Sequence, residues 1–170
     1  MGKSVFVTVG TTSFDDLIKT VLQEDTLQVI TKLGYTKLTL QIGKGQEIVV
    51  PDIPGLNITW YRLKPSILLD FQAADLVISH AGAGSCLEAL QAGKQLLVVI
   101  NESLMGNHQL ELAEKLYHLG HASITYGIQC LKRGVNNIEK LHKTYRIDAD
   151  GNAIPVVLDT VSAKLRFRLS

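Results

Sequence analysis

The chain has 170 residues, 46% of them hydrophobic and 19% charged, which fits one domain able to bury a core and excludes disorder, collagen-like repeats and an extended coiled coil. With 17 basic and 16 acidic residues the formal charge is +1, so no global field favours nucleic acid or an anionic bilayer. Two cysteines, Cys86 and Cys130, are too few for a disulfide scaffold and suit a reducing compartment.

Short β-branched runs alternate with helical patterns, the signature of a Rossmann-like parallel sheet with helices on both faces. Val5–Val9 reads as a buried first strand, after which Phe14, Leu17, Ile18, Val21 and Leu22 recur at helical spacing. Asp25-Thr26-Leu27-Gln28 resembles a capping box, which predicts a second short helix running to Leu33 with Gly34 as its stop. Lys37–Ile42 is the next strand, Gly43–Gly55 a loop carrying Pro51 and Pro54, and Ile58–Arg62 a further strand. Pro65 suits the first turn of a helix reaching Ala74. Leu76–Ser79 is a strand, Gly84–Ala92 a helix and Gln95–Ile100 another strand. Asn107–Leu119 carries apolar residues on one face and stops at Gly120; Ala122–Thr125 reads as a last strand and Asn136–His142 as a last helix. Beyond Lys143 the pattern weakens, and Asp148-Ala149-Asp150-Gly151-Asn152 is a turn signal without a partner. No apolar stretch approaches the ~20 residues of a membrane span, and the N-terminus shows neither a leader nor a lipidation motif, so a soluble intracellular domain is expected.

In a parallel sheet the loops that follow strands gather at one edge, where such folds bind ligands. The first is Gly10-Thr11-Thr12-Ser13, where a glycine turn, hydroxyls and helix-start N–H groups can meet an anion; a simple turn capped by Ser13 explains it equally well. The second, Ser79-His80-Ala81-Gly82-Ala83-Gly84-Ser85-Cys86-Leu87-Glu88, joins a buried strand to a helix through small residues that let backbone approach a diphosphate. Glu88 shares a helix face with Ser85, and its carboxylate can accept hydrogen bonds from two vicinal ribose hydroxyls; His80 can donate to phosphate. Each of these residues alone has an ordinary structural explanation, but their joint occurrence at one junction points to a nucleotide. The order differs from G-x-G-x-x-G, since Leu87 stands where the third glycine would be, and the Lys of a P-loop is missing. The third element is Asn107-His108-Gln109, where Asn107 suits a helix cap and Gln109 offers a donor and an acceptor for sugar hydroxyls. Trp60 and Tyr61 read as core or sheet-surface residues and Cys86 as an inert buried thiol; no Cys/His spacing supports a zinc site.

Val7-Thr8-Val9-Gly10-Thr11-Thr12, Asp75–Glu88 and Asn107-His108-Gln109-Leu110-Glu111-Leu112-Ala113 together resemble the C-terminal, donor-binding half of the UDP-N-acetylglucosamine transferases that act on polyprenyl-diphosphate lipids. That family includes the bacterial transferase that makes lipid II and, nearer in likeness, the soluble catalytic subunits that add the second sugar in the dolichol pathway of asparagine-linked glycosylation. Ser79–Glu88 is also similar to the His…Glu donor signature of plant glycosyltransferases, with Gln109 in the place of their closing Gln. The resemblance implies a single domain of GT-B donor type. It places Gly10, Thr11, Thr12, His80, Gly82, Ala83, Gly84 and Ser85 on the diphosphate, Glu88 on the ribose, and Asn107, His108 and Gln109 on the sugar. It further implies an inverting transfer to N-acetylglucosaminyl-diphospho-dolichol, with a membrane-anchored second subunit supplying the acceptor half at the cytosolic face of the endoplasmic reticulum membrane. No tightly bound cofactor is expected, although Mg²⁺ could stimulate, and no nucleic acid partner. The catalytic base stays unassigned, with His108 or a group on the partner as candidates. The likeness runs from about Lys3 to Thr125, which divides the chain into a nucleotide-sugar-binding domain over 1–126 and an extension over 127–170, a segment that in this family contributes to partner docking. A non-catalytic nucleotide-sugar-binding module is the alternative. An NAD-dependent oxidoreductase fits less well, given the altered glycine pattern and the lack of an acidic residue near Gln41.

Overall fold

The computed structural model describes residues 2–80, 82–101, 111, 115, 123–126, 145–147 and 153–155. Its elements are β1 (Lys3–Thr8), α1 (Asp15–Val21), α2 (Glu24–Lys32), β2 (Tyr35–Gln41), β3 (Asn57–Tyr61), α3 (Leu68–Ala73), β4 (Leu76–His80), α4 (Ala83–Gln91), β5 (Gln95–Ile100), β6 (Ser123–Tyr126), β7 (Tyr145–Ile147) and β8 (Ala153–Pro155). Six strands form one all-parallel sheet in the order β3-β2-β1-β4-β5-β6. This is the Rossmann-like doubly wound arrangement expected.

Alternation along the central strands produces both layers of the core. Val5, Val7, Leu76, Ile78, Leu97 and Val99 face one side, where Leu17, Ile18 and Val21 of α1 and Leu27 and Ile30 of α2 pack on them. Phe6, Val77, Leu96, Val98 and Ile100 face the other, against Phe71 of α3 and Cys86 and Ala89 of α4. Successive strand residues point to opposite faces, so a strand buried on both sides must be apolar throughout, as Val5–Val7 and Leu96–Ile100 are. Phe6 meets Phe71 edge to face, with ring centroids 5.3 Å apart and planes at 88°.

Three expectations are corrected. Asp25 does not cap α2: the N-cap is Gln23 in extended conformation with no side-chain cap bond, and Glu24 and Asp25 lie in the first turn, where acidic groups favour the positive helix end. Pro65 does not open α3, which starts at Leu68; Ser66 Oγ accepts the Leu68 N–H at 3.3 Å, leaving Leu63–Ser66 as a loop. The turn signal at Asp148–Asn152 has its partners after all, because β7 and β8 pair antiparallel on either side of it. The expected helix at Asn136–His142 lies outside the described residues, and of Asn107–Leu119 only Glu111 and Lys115 are described, both helical.

The loops after β1 and β2 are locked together. Lys44 N–H donates to the Thr12 carbonyl at 2.9 Å, and Gly43 sits at φ +58 with that carbonyl only 2.0 Å from where a Cβ would stand. Arg62 Nη1 donates to the Gly45 carbonyl at 2.5 Å, and Gln46 N–H to Asp15 Oδ1 at 3.1 Å. Gly55, by contrast, has positive φ (+81), but none of the described residues stands within 4 Å of where its Cβ would be. Gly55→Ala should therefore cost only the left-handed penalty, about 1–2 kcal/mol. Gly43→Ala adds a backbone clash and should cost more, about 3 kcal/mol. Urea unfolding of the two variants checks the order; equal losses would show that the Thr12 loop moves aside freely.

Candidate functional site

Strand order reverses between β1 and β4, and in open parallel sheets the crevice at such a reversal, beyond the carboxyl ends of the strands, is where ligands bind. Here β1 runs into Gly10-Thr11-Thr12 and β4 into His80 and the start of α4. A cleft of about 450 Å³ opens at this point. Gly10, Thr11, Thr12, His80, Gly82, Gly84, Ser85 and Glu88 all line it, so eight of the twelve residues singled out by the sequence come together. Ala83 is the first residue of α4. Asn107, His108 and Gln109 lie outside the described residues.

The junction after β4 is shaped by His80. Its carbonyl accepts from Gly82 N–H at 2.8 Å, from Ser79 Oγ at 2.8 Å and from Cys86 Sγ at 3.8 Å, which pins the chain as it turns into the helix. Its ring packs close to two glycines: a Cβ on Gly82 would stand 2.3 Å from Nε2, and one on Gly10, whose φ is +65, would stand 3.0 Å from Cε1. Burial holds the His80 imidazole below its usual range, partly offset by the Thr8 backbone carbonyl. That carbonyl does not satisfy the ring, because Nδ1 is buried without a hydrogen-bond partner among the described residues. At Gly84 a Cβ would meet nothing within 4 Å among the described residues, whose packing does not demand a glycine there.

The α4 N-terminus supplies the other half. The first N–H groups of a helix have no intrahelical acceptor, and the aligned peptide dipoles favour negative charge there. Cys86 N–H closes the first turn on the Gly82 carbonyl at 3.1 Å. Glu88 lies one turn on, exposed and on the cleft side. Burial pushes the Cys86 thiol up to about 12, with Ser79 pulling weakly the other way, which fits an inert packed thiol.

Sequence reasoning missed the far wall. Gln41, at the end of β2, and Leu63, Lys64, Pro65, Ser66 and Ile67, between β3 and α3, also line the cleft. The signal was available, since every segment that follows a strand of a parallel sheet reaches the same edge. Lys64 is anchored there: its Nζ lies 3.2 Å from Asp70 Oδ2 and 4.0 Å from the centre of the Tyr61 ring. The Tyr61 hydroxyl donates to the same carboxylate at 2.8 Å, and burial together with that bond raises the phenol above its usual range. Tyr61 packs against the core, as one of the two readings expected, and also braces the cleft wall. Among the described residues no three His, Cys, Asp or Glu side chains gather to hold a metal ion, and no helix is long and apolar enough to cross a membrane.

Residues 4–154 match the model of the glycosyltransferase family 28 C-terminal domain, so the likeness continues past Thr125. The UDP-N-acetylglucosamine transferase subunit ALG13 of Homo sapiens is 60% identical over 120 residues, covering 70% of this chain and 11% of that protein. Its namesake in Yarrowia lipolytica is 32% identical over 163 residues, covering 91% of this chain and 82% of that protein. The chain therefore spans about a tenth of the human relative and about four fifths of the yeast one. The solution structure of ALG13 superimposes with a TM-score of 0.62 at 25% identity, covering 96% of this chain and 94% of that one. MurG of Acinetobacter baumannii has a TM-score of 0.61 at 19% identity over 82% of this chain and 41% of that one, a likeness of fold alone. With its family match running through nearly the whole sheet and its relatives extending from human to yeast, the chain belongs to glycosyltransferase family 28, as a C-terminal domain of that family.

Proposed function

We propose that the chain is the donor-binding subunit of a UDP-N-acetylglucosamine transferase that passes the sugar, with inversion, to N-acetylglucosaminyl-diphospho-dolichol. The observation that carries this reading is the meeting of the Gly10–Thr12 loop, the α4 N-terminus and Glu88 in one cleft at the strand reversal. The diphosphate would lie against the α4 amides and the Gly10 loop, and Glu88 would accept the two ribose hydroxyls. As the acceptor attacks the anomeric carbon, negative charge grows on the departing UDP. Fixed N–H groups and a helix dipole stabilise that charge without reorganising. Relatives called subunits support a partner, and here the partner would be membrane-anchored, at the cytosolic face of the endoplasmic reticulum, and would supply the acceptor wall.

Glu88→Ala should weaken UDP binding by ~2–4 kcal/mol through the loss of two charge-assisted hydrogen bonds, with the melting temperature unchanged because the side chain is exposed. Calorimetry with UDP, UDP-N-acetylglucosamine and NAD measures this. Unchanged UDP affinity removes the ribose role, and NAD binding without UDP binding overturns the donor reading.

The two glycines at the helix start should part company. Gly84→Val puts a branched side chain into open cleft space, so UDP affinity should fall by at least tenfold (about 1.4 kcal/mol) while thermal stability holds. Gly82→Val drives into the His80 ring and should lower the melting temperature as well. A Gly84→Val protein that binds UDP normally would move the phosphates elsewhere.

Transfer of labelled N-acetylglucosamine to a dolichyl or phytanyl diphosphate acceptor should be absent for the purified chain in detergent and appear when the anchored partner is added. Full-rate transfer by the chain alone would refute the half-enzyme reading.

A further inference from the structure

One polar side chain in the cleft has no role so far. Gln41 ends β2, is 3% exposed and still forms part of the cleft wall. Its Oε1 lies 2.5 Å from Thr8 Oγ1, and that hydroxyl oxygen accepts the Gly10 N–H at 3.0 Å. Thr8 is fully buried. Its single hydroxyl proton needs an acceptor, and among the described residues Gln41 Oε1 is the one within reach. With the amide turned the other way, two donors would point at the Thr8 oxygen and its proton would be buried without an acceptor, a costly arrangement. The oxygen of Gln41 is therefore committed inward. Its Nε2, with two N–H donors, has no partner among the described residues and is left for the cleft.

Register shows where this donor stands. Gln41 pairs with Thr8, and Thr8 with Ser79, so the three lie level across β2, β1 and β4, with His80 next along β4. Strands are spaced ~4.8 Å apart, which puts Gln41 ~10 Å from the strand that leads into α4, with the start of the Gly10–Thr12 loop between. That loop spends its first N–H inward, on Thr8, and cannot offer it to a ligand.

Resting on the donor-cleft reading above, we infer that Gln41 supplies the missing donor. Its Nε2 binds a phosphate oxygen of a nucleoside diphosphate, from the side opposite the α4 N-terminus, and Thr8 holds the amide in the one orientation that allows this. Gln41 is then a binding residue that responds to the phosphates and not to the nucleoside.

The test uses the full ¹⁵N-labelled chain with UDP and uridine as separate probes, alongside Gln41→Met and Gln41→Glu. The Gln41 side-chain amide resonance should shift with UDP and stay in place with uridine. Gln41→Met should bind UDP about tenfold more weakly, Gln41→Glu more weakly still through charge repulsion, and both should bind uridine within about twofold of the parent. Equal losses for UDP and uridine would make Gln41 a structural residue and overturn the inference. So would an amide resonance unmoved at saturating UDP, a measurement on the parent chain that stands even if a variant fails to fold. Normal UDP binding by folded Gln41 variants, with binding lost in Glu88→Ala, overturns this inference alone; a parent chain that binds no UDP removes the donor reading with it.

Discussion

Parallel pairing of β1 with both β2 and β4 is the constraint on which the rest of the molecule depends. It leaves β1 buried on both faces, which only an apolar run such as Val5-Phe6-Val7 tolerates, and it forces each connection to cross back over the sheet. The chain answers with α1 and α2 on one face and α3 and α4 on the other. The change of face occurs at β1, so the loops after β1 and β4 part and leave a crevice between them. The cleft is thus a consequence of strand order, and the side chains that furnish it are a separate matter.

Those side chains are held by backbone more than by each other. The Gly10 amide is tied to Thr8, the Thr12 carbonyl to Lys44, and the His80 carbonyl to three donors. Each tie places a loop that would otherwise be free at the sheet edge, where the chain leaves its ladder of strand hydrogen bonds. Glycine is required where those ties bring backbone within contact distance, as at Gly43 beneath Thr12 and Gly82 beside the His80 ring. Gly84 is different, since none of the described residues occupies the space its side chain would fill.

Much of this was legible in the sequence because periodicity reports burial. Leu96–Ile100 is apolar without interruption and, with Gln95 before it, forms a strand with the bounds expected, and the helical spacing of Leu17, Ile18 and Val21 marks the face of α1 that packs on the sheet. The cleft residues after β1 and β4 were legible because small residues, a histidine and a glutamate occur together at one strand–helix junction. Local rules failed where a tertiary contact competes with them. Asp25 and Gln28 have capping-box spacing, yet the chain enters α2 two residues earlier, with Gln23 extended as the N-cap. Pro65 sits where a helix could start, but Lys64 is drawn back onto Tyr61 and Asp70, and α3 waits until Leu68. Gln41 looked like an ordinary strand residue because its significance lies in Thr8, distant in sequence and adjacent in the sheet. The β7–β8 pair was missed because three-residue strands are too short to show a period.

The charges around the cleft bear on how a diphosphate would be treated there. Lys64 is the one lysine or arginine among the described lining residues, and it is already engaged by Asp70 and the Tyr61 ring. Burial favours the neutral form of His80, and Glu88 adds a carboxylate at the rim. A nucleoside diphosphate would therefore meet amide N–H groups and a helix end, with little free positive charge. Dipoles of this kind fall off steeply with distance, so they discriminate by position and reward a phosphate oxygen that sits in line with them. A fixed cation would attract the donor's resting charge as well as the charge that grows in the transition state, and only the difference between the two accelerates the chemical step. In the proposed reaction, oriented amides would respond most to charge that develops in line with them, on the oxygen that bridges sugar and phosphate in the donor.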